Sequence, residues 1–135
     1  MSTNPMEAYE SVNQSTMSGR EIEAAVLTKA ARKLKVCQDN WDADDRHANL
    51  DIALKFNQRI WSIFQSELAR EDNPLPRKLK VDLLSLSTFI DRRIFEIIAN
   101  PSPEKLTIVI NINNNIAAGL RKRPSTDGLP ESDGI

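Results

Sequence analysis

The chain has 135 residues, enough for one domain with a buried core, and its 40% hydrophobic and 27% charged residues are typical of a globular protein. Because 18 lysines and arginines nearly balance 19 aspartates and glutamates, the net charge of −1 provides no general attraction to nucleic acid or anionic membrane. The first 17 residues contain no apolar run flanked by basic residues, and no run of about 18 apolar residues occurs anywhere. We therefore expect a cytoplasmic protein with neither a signal peptide nor a membrane span.

Two helix starts are predicted near the N-terminus. Residues 4–7 combine a capping asparagine, a proline and a glutamate, which predicts a short helix over residues 5–15. Residues 18–21 match a capping box and predict a second, amphipathic helix over residues 19–40. Its apolar residues recur at spacings of three and four: Leu27, Ala30, Leu34, Cys37 and Trp41.

The next helix has the strongest periodic pattern in the sequence. The aspartates within residues 42–45 place negative charge at its start, where the helix dipole favours it, and we predict that it covers residues 46–70. Residues 71–76 should end it in a stiff elbow, because Pro74 and Pro76 lack backbone donors and restrict the residues before them. The stripe consists of Leu50, Leu54, Asn57, Trp61, Phe64 and Leu68.

A third helix is predicted over residues 76–99, and it is apolar on more than one face. One stripe consists of Leu79, Leu83, Leu86, Ile90, Ile94 and Ile97. A second stripe consists of Val81, Leu84, Phe95 and Ile98.

A fourth helix should start after residues 100–103, with Ser102 as its cap and Pro103 at its first position. The alternation of β-branched residues in 107–112 also suggests a strand. We reject the strand because the helical stripe continues for about four turns. This stripe consists of Leu106, Ile110, Asn113, Ala117 and Leu120.

The predicted fold class is therefore all-α, a small helical bundle of four main helices plus a short N-terminal helix and a disordered C-terminal tail. We expect residues 1–17 to form the N-terminal segment and residues 18–123 the bundle domain. Residues 124–135 are rich in proline, glycine, serine and aspartate, a composition typical of disorder.

Few residues could support catalysis. His47 is the single histidine, and a general base needs a positioned partner and a pocket, so we expect a solvated side chain. Asp42, Asp44 and Asp45 lack the glycine and distal glutamate of a calcium loop. Cys37 is the only cysteine, and its place on the apolar side of its helix predicts a core residue. We expect a protein that is not an enzyme and that binds no cofactor or metal; a deep polar pocket around His47 would favour the enzyme alternative.

Asn57 and Asn113 interrupt otherwise apolar stripes. A buried amide must find hydrogen-bond partners or cost about 1–3 kcal/mol. Our hypothesis is that both fix the packing register of their helices, and we assign structural roles also to Trp61, Pro74 and Pro76. The alternative is that both asparagines lie at the core boundary and bind water.

Basic residues form three groups that are candidates for nucleic-acid binding, and the commoner alternative is a solvated face. The first group opposes the helix dipole at the start of its helix, which a bound anion or an acidic partner could explain. Aromatic residues do not alternate with these basic positions as base-stacking modules require, so RNA binding is a minority interpretation. The groups are Arg77, Lys78 and Lys80, then Arg92 and Arg93, then Arg121, Lys122 and Arg123.

The second apolar stripe of the third helix, with Ile108 and Ile112 of the fourth, exceeds what one core-facing stripe requires. If the helices pack as a bundle, this surplus must be covered by another part of the chain or by another protein. An exposed apolar groove would suit an amphipathic helix. The alternative is that the third helix lies at the centre of the bundle, so that the other helices cover both of its apolar stripes.

Several segments together resemble the flagellar biosynthesis regulator FlaF family of alphaproteobacteria. The resemblance extends from about residue 8 to residue 121. Two departures are mild, since the family pattern has proline where Gly19 stands and tyrosine where Phe56 stands. The matching segments are AY at 8–9, SGREIEA at 18–24, LDIALKFNQRIW at 50–61, DNPLP at 72–76, EKL at 104–106 and INNNIAAGL at 112–120.

This resemblance implies a cytoplasmic regulator of bacterial flagellum biogenesis that acts with flagellin and with the companion regulator FlbT. Flagellin has amphipathic terminal helices that are disordered before assembly, which suits binding in a groove. Our leading hypothesis is a flagellin-binding export chaperone and assembly factor. The alternative is a post-transcriptional regulator that acts on flagellin mRNA through the basic residues or through FlbT. The expected flagellin-binding residues are Tyr9, Val81, Leu84, Phe95, Ile98, Ile108 and Ile112.

Overall fold

The computed structural model describes the backbone of residues 5–122, and the side chains of Pro5 and of residues 21–122. This part of the chain contains no strand, which confirms the all-α prediction, and residues 107–112 are helical. A single 3₁₀ turn, Pro103–Lys105, precedes the last helix. The four helices are α1 (Pro5–Asp39), α2 (Arg46–Leu68), α3 (Arg77–Ala99) and α4 (Leu106–Lys122).

The prediction of a separate short N-terminal helix is wrong, because α1 continues without a break through residues 18–21. Neither Ser18 nor Gly19 removes a backbone donor, whereas a proline would, so the hydrogen-bond ladder has no obligatory stop here. The expected boundary between residues 17 and 18 therefore falls inside a helix. The expected cap at Asn4 and the expected disordered tail over residues 124–135 lie outside the described residues.

The predicted cap at Ser102 does not form, and Asp45, where only a favourable charge was expected, makes no capping hydrogen bond either. Asp45 occupies the position before α2, but its side chain makes no capping hydrogen bond. Ser102 occupies the corresponding position before the 3₁₀ turn, also without such a bond. The helix bounds agree with the prediction to within a few residues because they depend on prolines and on the end of each apolar stripe, and not on the caps.

The helices form a ring in which α1 packs along α4 and α2, and α2 packs along α3, whereas α3 and α4 meet only sparsely. Gln38 of α1 donates to Thr107 Oγ1 at the start of α4, at 2.9 Å. Near the other end, Arg121 donates to Thr28 Oγ1 at 3.2 Å. These two contacts show that α1 and α4 run antiparallel, and the sparse contact leaves the ring loosely closed between α3 and α4.

The core is built from the stripes that the spacing predicted. Cys37 is 4% exposed, which confirms it as a core residue. Trp41, Phe64, Leu86 and Leu120 are half-buried and pack against the core from its edge. Fully buried members of the stripes are Leu27, Ala30, Leu34, Leu54, Asn57, Trp61, Ile90, Ile94, Ile97, Leu106, Asn113 and Ala117.

The elbow between α2 and α3 is organised by Asn73. Its Nδ2 donates to the backbone carbonyl of Glu67 at 2.9 Å, and its Oδ1 accepts the backbone N–H of Leu75 at 3.0 Å. Lys80 Nζ donates to the backbone carbonyl of Asn73 at 3.3 Å. One side chain thus satisfies the end of α2 and orients the segment that leads to Pro76, directly before α3.

Replacing Asn73 by alanine should lower the free energy of unfolding by about 1–2 kcal/mol, because a loop amide loses its partner and the Glu67 carbonyl keeps only the backbone N–H of Arg70, at 3.3 Å. Urea unfolding followed by circular dichroism measures this. Asn100→Ala is the control, since Asn100 also lies at a helix end but only its backbone atoms make hydrogen bonds. Equal stability of the two variants would show that Asn73 does not organise the elbow.

Candidate functional site

Asn57, Trp61 and Asn113 form a buried hydrogen-bond network between helices, and none is more than 1% exposed. Asn113 Nδ2 donates to Asn57 Oδ1 at 2.7 Å, and Trp61 Nε1 donates to Asn113 Oδ1 at 2.9 Å. Asn57 Nδ2 donates to the backbone carbonyls of Ala53 at 2.9 Å and of Ala30 at 3.2 Å. The network therefore connects α4 to α2 and α2 to α1.

Each member of this network can be satisfied at one relative position of the helices only. A shift of α4 by one turn, about 5.4 Å, would move Asn113 away from both of its partners. The Trp61 indole N–H and the Asn57 side-chain carbonyl would then be buried without a hydrogen bond. This geometry is what a register-fixing role requires, and the role itself remains a prediction.

Three isoleucines of α4 lie apart from the side that forms hydrogen bonds with α1. Thr107 and Arg121, which are bonded to α1, mark the opposite flank. At 3.6 residues per turn, positions 108, 112 and 116 follow one another along one side of α4, and Ile116 shares a cavity with Leu83 of α3. Ile108 is 37% exposed, and Ile112 and Ile116 are half-buried.

The flanks of α3 are distinguished by its contacts with α2. Gln65 of α2 donates to Ser87 and, at 3.0 Å, to Asp91. Phe89 and Arg93 lie about half a turn around α3 from Ser87 and Asp91, on the side away from α2 and toward α4. Phe89 is 39% exposed, and the Arg93 guanidinium carbon lies 5.6 Å from the centre of its ring. Buried Arg93 Nε has no hydrogen-bond partner among the residues described.

We define the α3–α4 seam as the surface formed by Phe89 and Arg93 of α3 with Ile108, Ile112 and Ile116 of α4. The seam is apolar except for Arg93, whose Nη1 lies 3.1 Å from Glu96. Consecutive helices joined by a short connection usually pack together. Here α4 packs mainly on α1 and meets α3 only sparsely, and Phe89 and Ile108 stay exposed.

The seam leads into an apolar cavity of about 130 Å³ at the end of the bundle where α3 begins and α4 ends. Ile116 belongs to both the seam and the cavity. The Trp61 and Phe64 rings meet edge to face at its wall, with centroids 5.6 Å apart. Other apolar side chains that line it are Leu27, Leu68, Leu75, Leu83 and Leu120.

The residues expected to bind flagellin are divided between two places. Phe95 is 64% exposed and lies beside Arg59 and Ser62 of α2, which puts it on the α2 flank of α3. We call Val81, Leu84, Phe95 and Ile98 the outer stripe; all are exposed except Leu84, which is half-buried.

Ile108 and Ile112 belong instead to the seam. The six expected residues whose side chains are described therefore do not form one surface. Tyr9 lies in α1, and its side chain lies outside the described residues. Sequence reasoning missed Phe89 and Ile116, because only the packing of α4 shows which flank of α3 faces it.

The basic residues at the start of α3 and at the end of α4 lie at the same end of the bundle, since Leu75, Leu83 and Leu120 all line the cavity. Lys78 forms an ion pair with Asp82 at 3.2 Å. The remaining basic residues of this end are Arg77, Lys80, Arg121 and Lys122, while Arg123 lies outside the described residues. Arg92 is exposed on α3, away from this end.

His47 is exposed and lines a shallow polar depression with Trp41, Asp42 and Asp44. Burial, and secondarily the charge of Asp45, raise the pKa of the Cys37 thiol. Among the side chains that the structure describes, no three or more of His, Cys, Asp or Glu gather so as to hold a metal ion. No helix in the described range combines the length and apolar character needed to cross a membrane.

Comparison with known proteins assigns the chain to a family. No curated protein and no solved structure matches it. The model of one family, described as flagellar protein FlaF, matches residues 5–120, which include the first three helices, α4 as far as residue 120, and both the seam and the buried network. The resemblance drawn from the sequence segments is thereby confirmed, and the chain belongs to the flagellar protein FlaF family.

Proposed function

We propose that this FlaF-family protein binds flagellin before assembly, as an export chaperone and assembly factor that promotes flagellin production and secretion, and that it catalyses no reaction itself. The open α3–α4 seam and its cavity carry the proposal. Phe89 and Ile108 are exposed on two helices that pack together only sparsely, and apolar surface of this kind suits an amphipathic helix.

The chemistry of the seam matches one face of such a helix. Ile108, Ile112 and Ile116 repeat at the helical spacing, and Phe89 provides an aromatic anchor of the kind that dominates interface energies. If a partner helix buried about 600 Å² of apolar area here, the gross gain would be about 15 kcal/mol, of which association and ordering costs consume much. Micromolar or tighter binding is thus feasible, and the bound helix would be shielded from aggregation.

Calorimetric titration of the protein with purified monomeric flagellin tests the proposal. Flagellin is used at full length and with its N-terminal or C-terminal helical segment deleted. We expect saturable binding that is lost with one of the two deletions. Unchanged binding by both truncated flagellins, or no binding by the full-length protein, would count against a seam that accepts a terminal helix.

A second candidate is post-transcriptional regulation of flagellin mRNA, directly or through FlbT. The observation in its favour is that two basic groups, around Lys80 and around Arg121, lie at one end of the bundle. An RNA complex would weaken steeply as salt is raised, because phosphate binding releases counterions. Binding of a flagellin leader RNA with this salt dependence, together with no binding of flagellin, would favour the second candidate.

A further inference from the structure

A second surface lies along α1 and α2, on the side of the ring opposite the seam. Val36 of α1 shares a shallow groove with Ile52 of α2. Lys29 and Lys33 lie over the Phe56 ring, with Nζ 5.7 and 5.2 Å from its centre. Lower residue numbers on α1 thus meet higher numbers on α2, so the two helices run antiparallel along this surface.

Exposed aliphatic side chains mark both ends of this surface. At one end, Val36 is 51% and Ile52 57% exposed. About two turns beyond Lys29 and the Phe56 ring, and on the same side of each helix, come Ile22, 60% exposed, and Ile63, 48% exposed. A single exposed aliphatic residue is ordinary, but these four bound one surface that is about 20 Å long. We call the surface between these four residues the α1–α2 face.

The charge of the α1–α2 face has one sign. Residues 24–38 of α1 contain four cations and residues 52–66 of α2 contain two, whereas neither segment contains a carboxylate. Lys35 and Lys55 pair with aspartates one turn away, just outside these segments, at 3.0 and 3.1 Å. The cations that form no ion pair with any described side chain are Lys29, Arg32, Lys33 and Arg59. In a chain whose net charge is only −1, this face is locally and strongly basic.

The pattern of charge and apolar surface selects one class of partner. A second copy of the chain would bring the unpaired cations of two faces together, and like charges repel. RNA would use the cations but not the aliphatic ends, and Phe56 is half-buried beneath lysines and not open to base stacking. A membrane needs a continuous apolar face, which the central cations interrupt. A protein helix that carries both apolar and acidic side chains matches every part of the face.

We propose that the α1–α2 face binds an acidic amphipathic helix of a partner protein, about four turns long. Its apolar side chains pack on Val36 and Ile52 at one end and on Ile22 and Ile63 at the other. Its carboxylates lie at the centre, on the unpaired cations, because Glu21 beside Ile22 would repel them at that end. The face is separate from the seam, so the proposal stands whether or not the seam binds flagellin.

A displayed library of helical peptides of about 18 residues, randomised at their surface positions, provides an unbiased probe. Peptides that bind the variant Lys29→Glu with Arg32→Glu are removed first, and the remainder is selected on the full chain. Both residues are exposed, so the variant should keep its helical circular dichroism spectrum. We expect enriched peptides with an excess of aspartate and glutamate beside an apolar stripe. No enrichment, or enriched peptides without acidic excess, would overturn the proposal.

The contribution of charge is measured by fluorescence anisotropy with one enriched peptide. Lys29→Glu with Arg32→Glu should raise its dissociation constant about thirtyfold or more, because two attractions become repulsions. The control, Arg77→Glu with Arg92→Glu, changes the net charge equally at exposed sites on α3 and should change the dissociation constant less than about threefold. Equal weakening by both pairs would reveal a general attraction to the basic protein surface and no docking site on this face.

The apolar contribution has a closely matched control. Ile52→Ser should weaken peptide binding about tenfold, whereas Ile98→Ser, at a site on α3 that is 53% exposed, should change it less than about threefold. Retained binding by Ile52→Ser would mean that the cations act alone, which contradicts the proposal. Phe89→Ala, at the seam, should leave peptide binding unchanged, so that failure of this site and failure of flagellin binding are separate results.

Competition identifies the other possible occupants. A single-stranded RNA of about 18 nucleotides, or vesicles that contain anionic lipid, should not displace the peptide at concentrations comparable with its own. Displacement by either would assign the α1–α2 face to that ligand and overturn the proposal. So would a wild-type dimer in analytical ultracentrifugation that Ile52→Ser dissociates, since a second copy would then cover the face.

Discussion

Replacing Asn113 by alanine is expected to lower the free energy of unfolding by about 3–4 kcal/mol. The substitution leaves the Trp61 indole N–H and the Asn57 side-chain carbonyl without partners in the core, each at a cost of about 1–3 kcal/mol. It also creates a small cavity, which adds to the loss. Urea unfolding followed by circular dichroism measures the change.

Asn114→Ala is the control, because Asn114 is the next residue of α4 but is exposed. It should change stability by less than about 0.5 kcal/mol. Asn113→Leu fills the space without restoring the hydrogen bonds, so it separates the two contributions and should still cost about 2–3 kcal/mol. Wild-type stability of Asn113→Leu would show that the network does not stabilise the fold.

A double-mutant cycle measures whether the two amides act together. Asn57→Leu should destabilise the protein as well, since it removes the acceptor of Asn113 Nδ2. Once Asn57 is absent, Asn113 has already lost one of its partners. The variant with both Asn57→Leu and Asn113→Leu should therefore be less destabilised, by about 1–2 kcal/mol, than the sum of the two single variants. Additive effects would mean that each amide stabilises its own helix only, which would contradict a shared role in register.

Much of this fold could be predicted from local patterns. The apolar stripe from Leu50 to Leu68 identified α2 and its buried side, and the two prolines of residues 74–76 fixed the elbow. The asparagines at 57 and 113 stood out because they interrupt such stripes. Their bond to each other could not be predicted, because it depends on how two helices more than 50 residues apart in the chain are brought together.

The errors have physical causes as well. Residues 18–21 have the side chains of a capping box, yet such side chains only stabilise a helix start and do not force one where the backbone donors remain intact. The surplus apolar residues of α3 were recognised from the sequence. Which of these residues faces α4 depends on the packing of α4 against α1, and the local spacing of residues does not predict that packing.

The two phenylalanines of α3 provide the sharpest test of the seam. Phe89 is on the flank toward α4, whereas Phe95 is on the flank toward α2, and both are exposed. Phe89→Ala should weaken flagellin binding about ten- to a hundredfold, as expected when an aromatic anchor is removed from an interface. Phe95→Ala removes the same ring from the same helix and should change the dissociation constant less than about threefold. Calorimetric titration with flagellin measures both.

A second substitution distinguishes the seam from a disturbance of α3. Ile112→Ala changes the opposite wall of the seam, on α4, and should weaken binding about tenfold while the thermal unfolding midpoint falls only modestly, since Ile112 is half-buried. Weakening by both Phe89→Ala and Ile112→Ala requires a partner that contacts two helices at once, which is what a helix lying in the seam would do. If Phe95→Ala weakened binding and the two seam variants did not, flagellin would bind the outer stripe of α3, and the open junction between α3 and α4 would have no part in recognition.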